Sequence, residues 1–322
     1  MIHTVNGLYN EDKYVPTLIH EHIRCMSNDL YIAFGKKWFD EESFVDYASD
    51  ILQELRVLYG VKLFVDGTPI DMGRNVSLLK KISQKSGVEI VASTGLYHYP
   101  GCATSRRDKN EIADWFVEEY QNGIQQTGIR PGVLKCASDG KEITMDNSKR
   151  LGATGIAQHK TGLPIYVHSN HFENMAFEQL EILLENGANP EKIIMGHSSI
   201  NYDVCYLEKI LKTGCLICVD QCHRFVNNLN EIFDSVIRLC EKGYEDKILF
   251  SNDICIYSDF LKKGYTGIEK NKDEHVEKFG FVFEHIYNAF VKAGGDFNLW
   301  NKIVCENPYR ILDVNEVKYI GR

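Results

Sequence analysis

The feature that most narrows the fold is an alternation sustained over nearly the whole chain, in which short runs rich in β-branched residues are separated by longer amphipathic stretches. The strand-like runs occupy 17–22, 61–66, 89–94, 132–137, 164–168, 192–197, 215–220 and 247–252. Between them apolar residues recur three and four apart, as over 42–59, 111–126, 172–186 and 229–242, which is the period of a helix with one buried face. Repeated βα units call for a parallel sheet, and eight of them predict an α/β chain closed into a (β/α)8 TIM barrel. Such a barrel commonly uses about 250 residues or more. The 322 residues, free of linkers and low-complexity segments, are therefore expected to form a single domain over 1–322. Tail helices over 276–293 and 297–305 should complete the outer ring and close the bottom, and Asn6-Gly7 marks the turn of a small N-terminal hairpin.

Charge limits the partners. A formal net charge of -9, with no basic stretch longer than a pair, argues against a nucleic acid or an anionic membrane and for a small-molecule substrate. No charged segment followed by an apolar one opens the chain, and no apolar run approaches the roughly 20 residues that cross a bilayer. The expectation is a cytoplasmic protein. Its 10 cysteines are scattered, several within apolar runs, and read as buried free thiols. Cys215 and Cys218 form a CxxC, but within a strand that spacing sends the two side chains to opposite faces, which disfavours a structural zinc site.

The strand-like runs end in residues with chemical potential: His22, Asp66, Lys135, His168, His197, Asp220, and Asp253 just past the last. In a (β/α)8 barrel that end carries the active site. His20 and His22 lie one residue apart on a strand, so both imidazoles point to the same side. His168 and His197 each close an apolar run, where the plain alternative is a hydrogen-bonded core histidine. Lys135 sits among Val133, Leu134, Cys136 and Ala137. Its ammonium would be costly to bury unless it were paired or carbamylated by carbon dioxide into an anionic bridging ligand. Asp253 can ligate a metal and take a proton from water. Together the six predict a site for two divalent metal ions.

The run Val15-Pro16-Thr17-Leu18-Ile19-His20-Glu21-His22 matches, apart from a leading glycine, the signature Gly-x-Thr-Leu-x-His-Glu-His. Then follow Asp66-Gly67-Thr68, Gly73-Arg74-Asn75, Thr94-Gly95-Leu96-Tyr97, Leu134-Lys135, Gly196-His197, Ser251-Asn252-Asp253 and Asn307-Pro308-Tyr309-Arg310. In these motifs and their order the chain resembles the phosphotriesterase family of the amidohydrolase superfamily over essentially its full length. The resemblance implies that His20, His22 and Asp253 bind the more buried metal and His168 and His197 the more exposed one. Carbamylated Lys135 and a hydroxide would bridge the two. Zinc is the default, with manganese, cobalt or iron suited to the same ligands. Asp253 would collect the proton of the attacking hydroxide. The resemblance also makes a homodimer plausible.

For the substrate, Tyr97 follows the third strand, where similar lactonases carry a tyrosine beside the exposed metal, and it is the candidate for orienting a lactone. Arg74, Arg224 in His223-Arg224-Phe225, and Lys262, Lys263 and Tyr265 fall in segments after the second, seventh and eighth strands, where cations could hold a phosphate or carboxylate. For Arg74, structural pairing is the stronger reading. The leading expectation is a metal-dependent hydrolase that opens a small sugar lactone, with or without a phosphate. Hydrolysis of an amide or carboxylic ester of the N-acyl amino acid type, or of a phosphotriester, is the enzymatic alternative. A binding protein that keeps its metal without turnover is the non-enzymatic one.

Overall fold

The structure, a computed structural model, describes residues 1–10, 14–171, 175–260 and 271–314. Strands β1 (Ile2–Thr4) and β2 (Gly7–Tyr9) pair antiparallel with Thr4 opposite Gly7, which makes Val5 and Asn6 the turn of the expected hairpin. Next come β3 (Thr17–Cys25), β4 (Leu63–Asp66), β5 (Glu89–Gly95) and β6 (Val133–Ala137). The series continues with β7 (Ile165–His168), β8 (Ile193–Met195), β9 (Leu216–Val219), β10 (Ile248–Phe250) and β11 (Cys255–Ser258). These nine form one wholly parallel sheet in the order β10-β9-β8-β7-β6-β5-β4-β3-β11.

Strands β10 and β11 are two pieces of the eighth barrel strand. The first pairs with β9 and the second with β3. Between them the Asp253 N–H donates to the His20 carbonyl (2.9 Å) and the His22 N–H to that of Ile254 (2.8 Å). The ring closes through this irregular segment, and the barrel predicted from the alternation is the fold.

Period-two alternation sorts the strands into two cores. Leu134 and Cys136, Ile165 and Val167, Ile193 and Met195, and Ile217 and Val219 pack outward against the helices. Val133, Tyr166, Ile194, Leu216 and Cys218 fill the barrel. Cys215 belongs to the outer layer and Cys218 to the inner one, so the CxxC is split as its spacing demands. All 10 cysteines are free thiols. Ile2 and Tyr9 of the hairpin, with Tyr309, Ile311 and Leu312 of the last helix, join the inner core and plug its floor. The strands' carboxyl ends are left as the open mouth.

Helices begin and end where local chemistry dictates. The helix expected over 111–126 runs Lys109–Asn122 behind a capping box of Asp108 and Glu111. It stops at Gly123, whose φ of 94° leaves the helical region. The helix expected over 172–186 is described from Met175 to Glu185. In the tail, Lys302–Glu306 widens into a π turn and passes into the helix Asn307–Leu312. Pro308 stands in the first turn of that helix, where its missing N–H costs little, so the helix continues through the proline. Among the described residues no helix is long and apolar enough to cross a membrane.

One buried histidine ties the mouth together without facing it. His171, past β7, donates from Nε2 to the Gly196 carbonyl (2.7 Å) and accepts the Tyr206 hydroxyl at Nδ1 (3.1 Å). The bond to the carbonyl forms in either protonation state, but accepting the Tyr206 hydroxyl needs the neutral ring, and burial pulls its pKa down to about 4. The unfolded chain takes up a proton below about pH 6.5 and the native ring does not. The stability this group contributes is therefore full above that pH and is lost as pH falls toward 4, by roughly 3 kcal/mol. The stability gap between wild type and His171→Gln in urea unfolding is expected to shrink by about that amount between pH 7 and pH 4. A gap independent of pH would mean that the ring titrates normally.

Candidate active site

Leu18 of β3 stands opposite Phe64 but Glu21 opposite Asp66, so β3 carries one residue more than β4 over this stretch. The bulge lets Ile19 fill the inner core while His20 also turns inward, and His22 follows two residues later. Glu21, between them, turns the other way and clasps the broken eighth strand. It accepts from the Ser251 hydroxyl (2.8 Å), the Asn252 N–H (2.8 Å), the Asn252 side-chain amide (3.1 Å) and the Ile254 N–H (2.8 Å). Burial pushes its carboxyl up to about 8 against these donors. Held in this clasp, Asp253 adopts a left-handed backbone with φ 57°; His197 and Gln221 do the same at 61° and 55°. Each such turn costs a non-glycine residue roughly 1–2 kcal/mol, and all three lie at strand ends around one point.

At that point the structure brings together the six residues singled out from the sequence. Lys135 is in phase with Val133 and therefore faces the barrel axis, with Nζ 2.9 Å from Nε2 of His20. Asp253 Oδ1 lies 3.2 Å from Nε2 of His22 and 3.6 Å from Nε2 of His20. Nε2 of His197 is 2.7 Å from Nδ1 of His168. Beside Lys135, Gly95 has φ 122°, and a Cβ there would meet the Lys135 carbonyl oxygen at 1.9 Å; only glycine lets β5 and β6 approach so closely.

Asp220 organises the rings. Its Oδ2 accepts from Nδ1 of His20 (2.8 Å) and from the Tyr166 hydroxyl (2.7 Å). Its Oδ1 accepts from Nδ1 (2.8 Å) and the backbone N–H (3.0 Å) of His197. Burial alone would raise this carboxyl, but His197 and His20 hold it well below the usual carboxylate range. On the other side Nδ1 of His22 meets the Thr68 hydroxyl (2.9 Å), which donates to Asp66 (2.7 Å). Burial, reinforced by Lys135, pulls His20 down to about 4, and burial with His197 also lowers His168, so both rings are neutral near pH 7. Burial likewise lowers the Lys135 ammonium. Asp253 is held ionised by His20 and His22 against the effect of its own burial.

Above this cluster opens a cavity of about 620 Å³, lined by His20, His22, Lys135, His168 and Asp253 and walled by Tyr97, Tyr99 and Phe260. The Tyr97 hydroxyl is 3.2 Å from Nδ1 of His168, and its loop is pinned by Asp71 at the backbone N–H (2.8 Å) and Arg150 at the carbonyl (2.6 Å). Arg224 reaches the same cavity beside His223 and Lys278. Nδ1 of His223 is buried with no hydrogen-bond partner among the described residues. Arg74 does not reach it. That side chain is buried, paired through both terminal nitrogens with Glu119 and bonded to the Ser93 carbonyl (2.9 Å), which corrects its place among the substrate contacts. Lys262, Lys263 and Tyr265 lie outside the described residues. Asp220 was visible in the sequence as a polar strand end, but its service to two histidines was not, and Gln221, whose amide donates to Asp253 Oδ2 (2.6 Å), carried no signal.

The donor set fits divalent ions. With Nδ1 of His20 and His197 committed to Asp220, their Nε2 atoms keep a lone pair for a cation. Nδ1 of His22 is bonded to Thr68, and against its burial Cys25 and Asp253 raise that ring to about 10, so a cation at its Nε2 would displace a proton, while Asp253 adds charge. His20, His22 and Asp253 offer atoms within 4.8 Å of one another. So do His20, His197 and Asp220, but there the carboxylate already accepts the ring N–H groups and orients the rings rather than ligating.

The sequence profile of the phosphotriesterase family matches residues 1–312. An aryldialkylphosphatase of Saccharolobus solfataricus is 34% identical over 250 residues, covering 76% of this chain and 78% of that protein. An N-acetyltaurine hydrolase of Danio rerio is 25% identical over 97% of each chain. The solved structure of the phosphotriesterase from Mycobacterium tuberculosis superposes with a TM-score of 0.83 at 28% identity, over 97% of this chain and 98% of that one. With the histidines, lysine and aspartate gathered at the barrel mouth, these matches show that the chain belongs to the phosphotriesterase family and is a hydrolase.

Proposed function

We propose that the chain opens small lactones to hydroxy acids, with a phosphorylated sugar lactone as the form that uses Arg224. The observation that carries this reading is Tyr97, fixed by Asp71 and Arg150 with its hydroxyl beside His168 on the cavity wall. Burial pushes its phenol far up, so it stays a hydrogen-bond donor for a carbonyl oxygen. Two divalent ions, zinc by default, would be held by His20, His22 and Asp253 and by His168 and His197. Lys135 would bridge them as its carbamate, which forms from the neutral amine that burial favours. Ions bound there supply Lewis acidity, which acidifies water and polarises a carbonyl or phosphoryl oxygen.

The chain's own groups do the rest. Asp253 accepts a proton from the attacking water as its oxygen bonds to the carbonyl carbon, and Tyr97 steadies the developing oxyanion. The ring C–O bond then breaks, and Asp253 returns the proton to the departing alkoxide. The free Nδ1 of His223 and the Arg224 guanidinium, which has no carboxylate in ion-pair distance among the described residues, suit an anionic substituent. Amide hydrolysis is the second reading, supported by the full-length likeness to an N-acetyltaurine hydrolase. A reducing compartment such as the cytoplasm suits the free thiols.

The test is a pH-indicator screen of zinc-loaded, bicarbonate-supplied protein. It compares lactones with and without a phosphate, N-acyl amino acids and an aryl dialkyl phosphate. The highest kcat/KM is expected on a lactone; a faster amide would give the second reading. Arg224→Ala is expected to raise KM for the phosphorylated lactone about tenfold or more, the worth of one charge-assisted hydrogen bond. Equal losses on neutral lactones would remove Arg224 from substrate recognition.

A further inference from the structure

We propose that Gln221 is the positioning residue for Asp253, distinguishing its two carboxylate oxygens so that one serves the metal site and the other the proton. The proposal deepens the hydrolytic reading above and rests on it. Asp253 Oδ1 faces Nε2 of His22 (3.2 Å) and of His20 (3.6 Å), whereas Oδ2 receives the Gln221 side-chain N–H at 2.6 Å. The two oxygens of a free carboxylate interchange by rotation about one bond. A donor fixed on one of them stops that rotation.

Gln221 is itself built into the mouth. Its backbone is left-handed with φ 55°, its N–H donates to the Asn252 carbonyl (3.2 Å), and its own carbonyl accepts from the Arg224 N–H (2.9 Å). The side chain is buried, with the residue 6% exposed. A left-handed turn is cheapest for glycine and costs glutamine about 1 kcal/mol or more. The turn alone therefore gives no reason for a glutamine, and the contact to Asp253 does.

The choice of an amide has a chemical consequence. A carboxamide N–H donates but is no base, so a proton taken by Asp253 from water does not drain through Gln221. It goes to the leaving oxygen or nitrogen as the C–O or C–N bond breaks, which suits alkoxide and amine leaving groups that need that proton.

Gln221→Gly separates positioning from a structural role, because it relieves the backbone while removing the donor. Zinc affinity is read by competition with 4-(2-pyridylazo)resorcinol, a measurement independent of any substrate. The thermal midpoint of zinc-free protein is read beside it. We expect zinc held about tenfold more weakly, as for loss of other groups that orient metal ligands, with the midpoint unchanged or higher. On whichever of a lactone or an aryl dialkyl phosphate the wild type hydrolyses, kcat should fall about tenfold with KM within about twofold, and propionamide should restore part of it. Zinc affinity within twofold of wild type overturns the proposal, as does loss of zinc together with a lowered midpoint. Gln221→Met, which keeps the volume without the donor, decides by the same readings if the glycine variant does not fold. If neither probe is hydrolysed by wild type, the lactone reading is in question while zinc competition still decides the role of Gln221.

Discussion

Asp220→Asn is expected to weaken zinc binding by about 10- to 100-fold, the range for groups that orient metal-bound imidazoles, and to destabilise the zinc-free protein by about 3 kcal/mol or more. The carboxylate accepts four hydrogen bonds inside the barrel, from His20, His197 twice and Tyr166. An asparagine of the same shape replaces one accepting oxygen by an NH2 group. The imidazole facing it can accept that N–H only by moving its own proton from Nδ1 to Nε2, which removes the lone pair meant for a cation. If the NH2 instead faces a ring that keeps its Nδ1 proton, two donors confront each other in a fully buried site. Zinc competition and urea unfolding of the zinc-free protein read the two effects separately. An asparagine variant matching wild type in both would mean that Asp220 merely occupies space.

The barrel was legible because period-two strands alternating with period-3.6 helices leave few topologies, and the same periodicity located the chemistry. Lys135 shares the inward phase of Val133, and Cys215 and Cys218 fall on opposite faces as their spacing requires. What escaped depended on contacts between distant segments. Strand β11 was hidden because the break before it is held by Glu21, 230 or more residues away in sequence, rather than by any turn motif. The bulge that turns both Ile19 and His20 inward is a matter of register with β4, invisible in β3 alone. For Arg74 the sequence favours structural pairing over substrate contact but not its partner, Glu119, 45 residues away, which draws it into the wall. The tail helix continued through Pro308 because a π turn prepared the backbone for it.

Asp253→Asn carries the other large effect: kcat is expected to fall by about 100- to 10,000-fold, the usual worth of a positioned general base. In the wild type, His20 and His22 hold this carboxyl ionised although it is buried, so the base is ready at neutral pH. An amide of the same shape accepts the Gln221 N–H through its oxygen and keeps the turn at φ 57°, but it cannot take a proton from water. The loss should therefore appear in kcat, with KM for a lactone or phosphotriester changed by no more than about threefold, since uniform substrate binding is untouched. Zinc content measured on the same sample removes the ambiguity of a lost ligand. A variant carrying the wild-type zinc complement and the full kcat deficit assigns the deficit to proton transfer. One that is fully loaded and within threefold of wild-type turnover would require another residue to take that proton, and the half-buried His223, whose ring faces the same cavity, would be the next to replace.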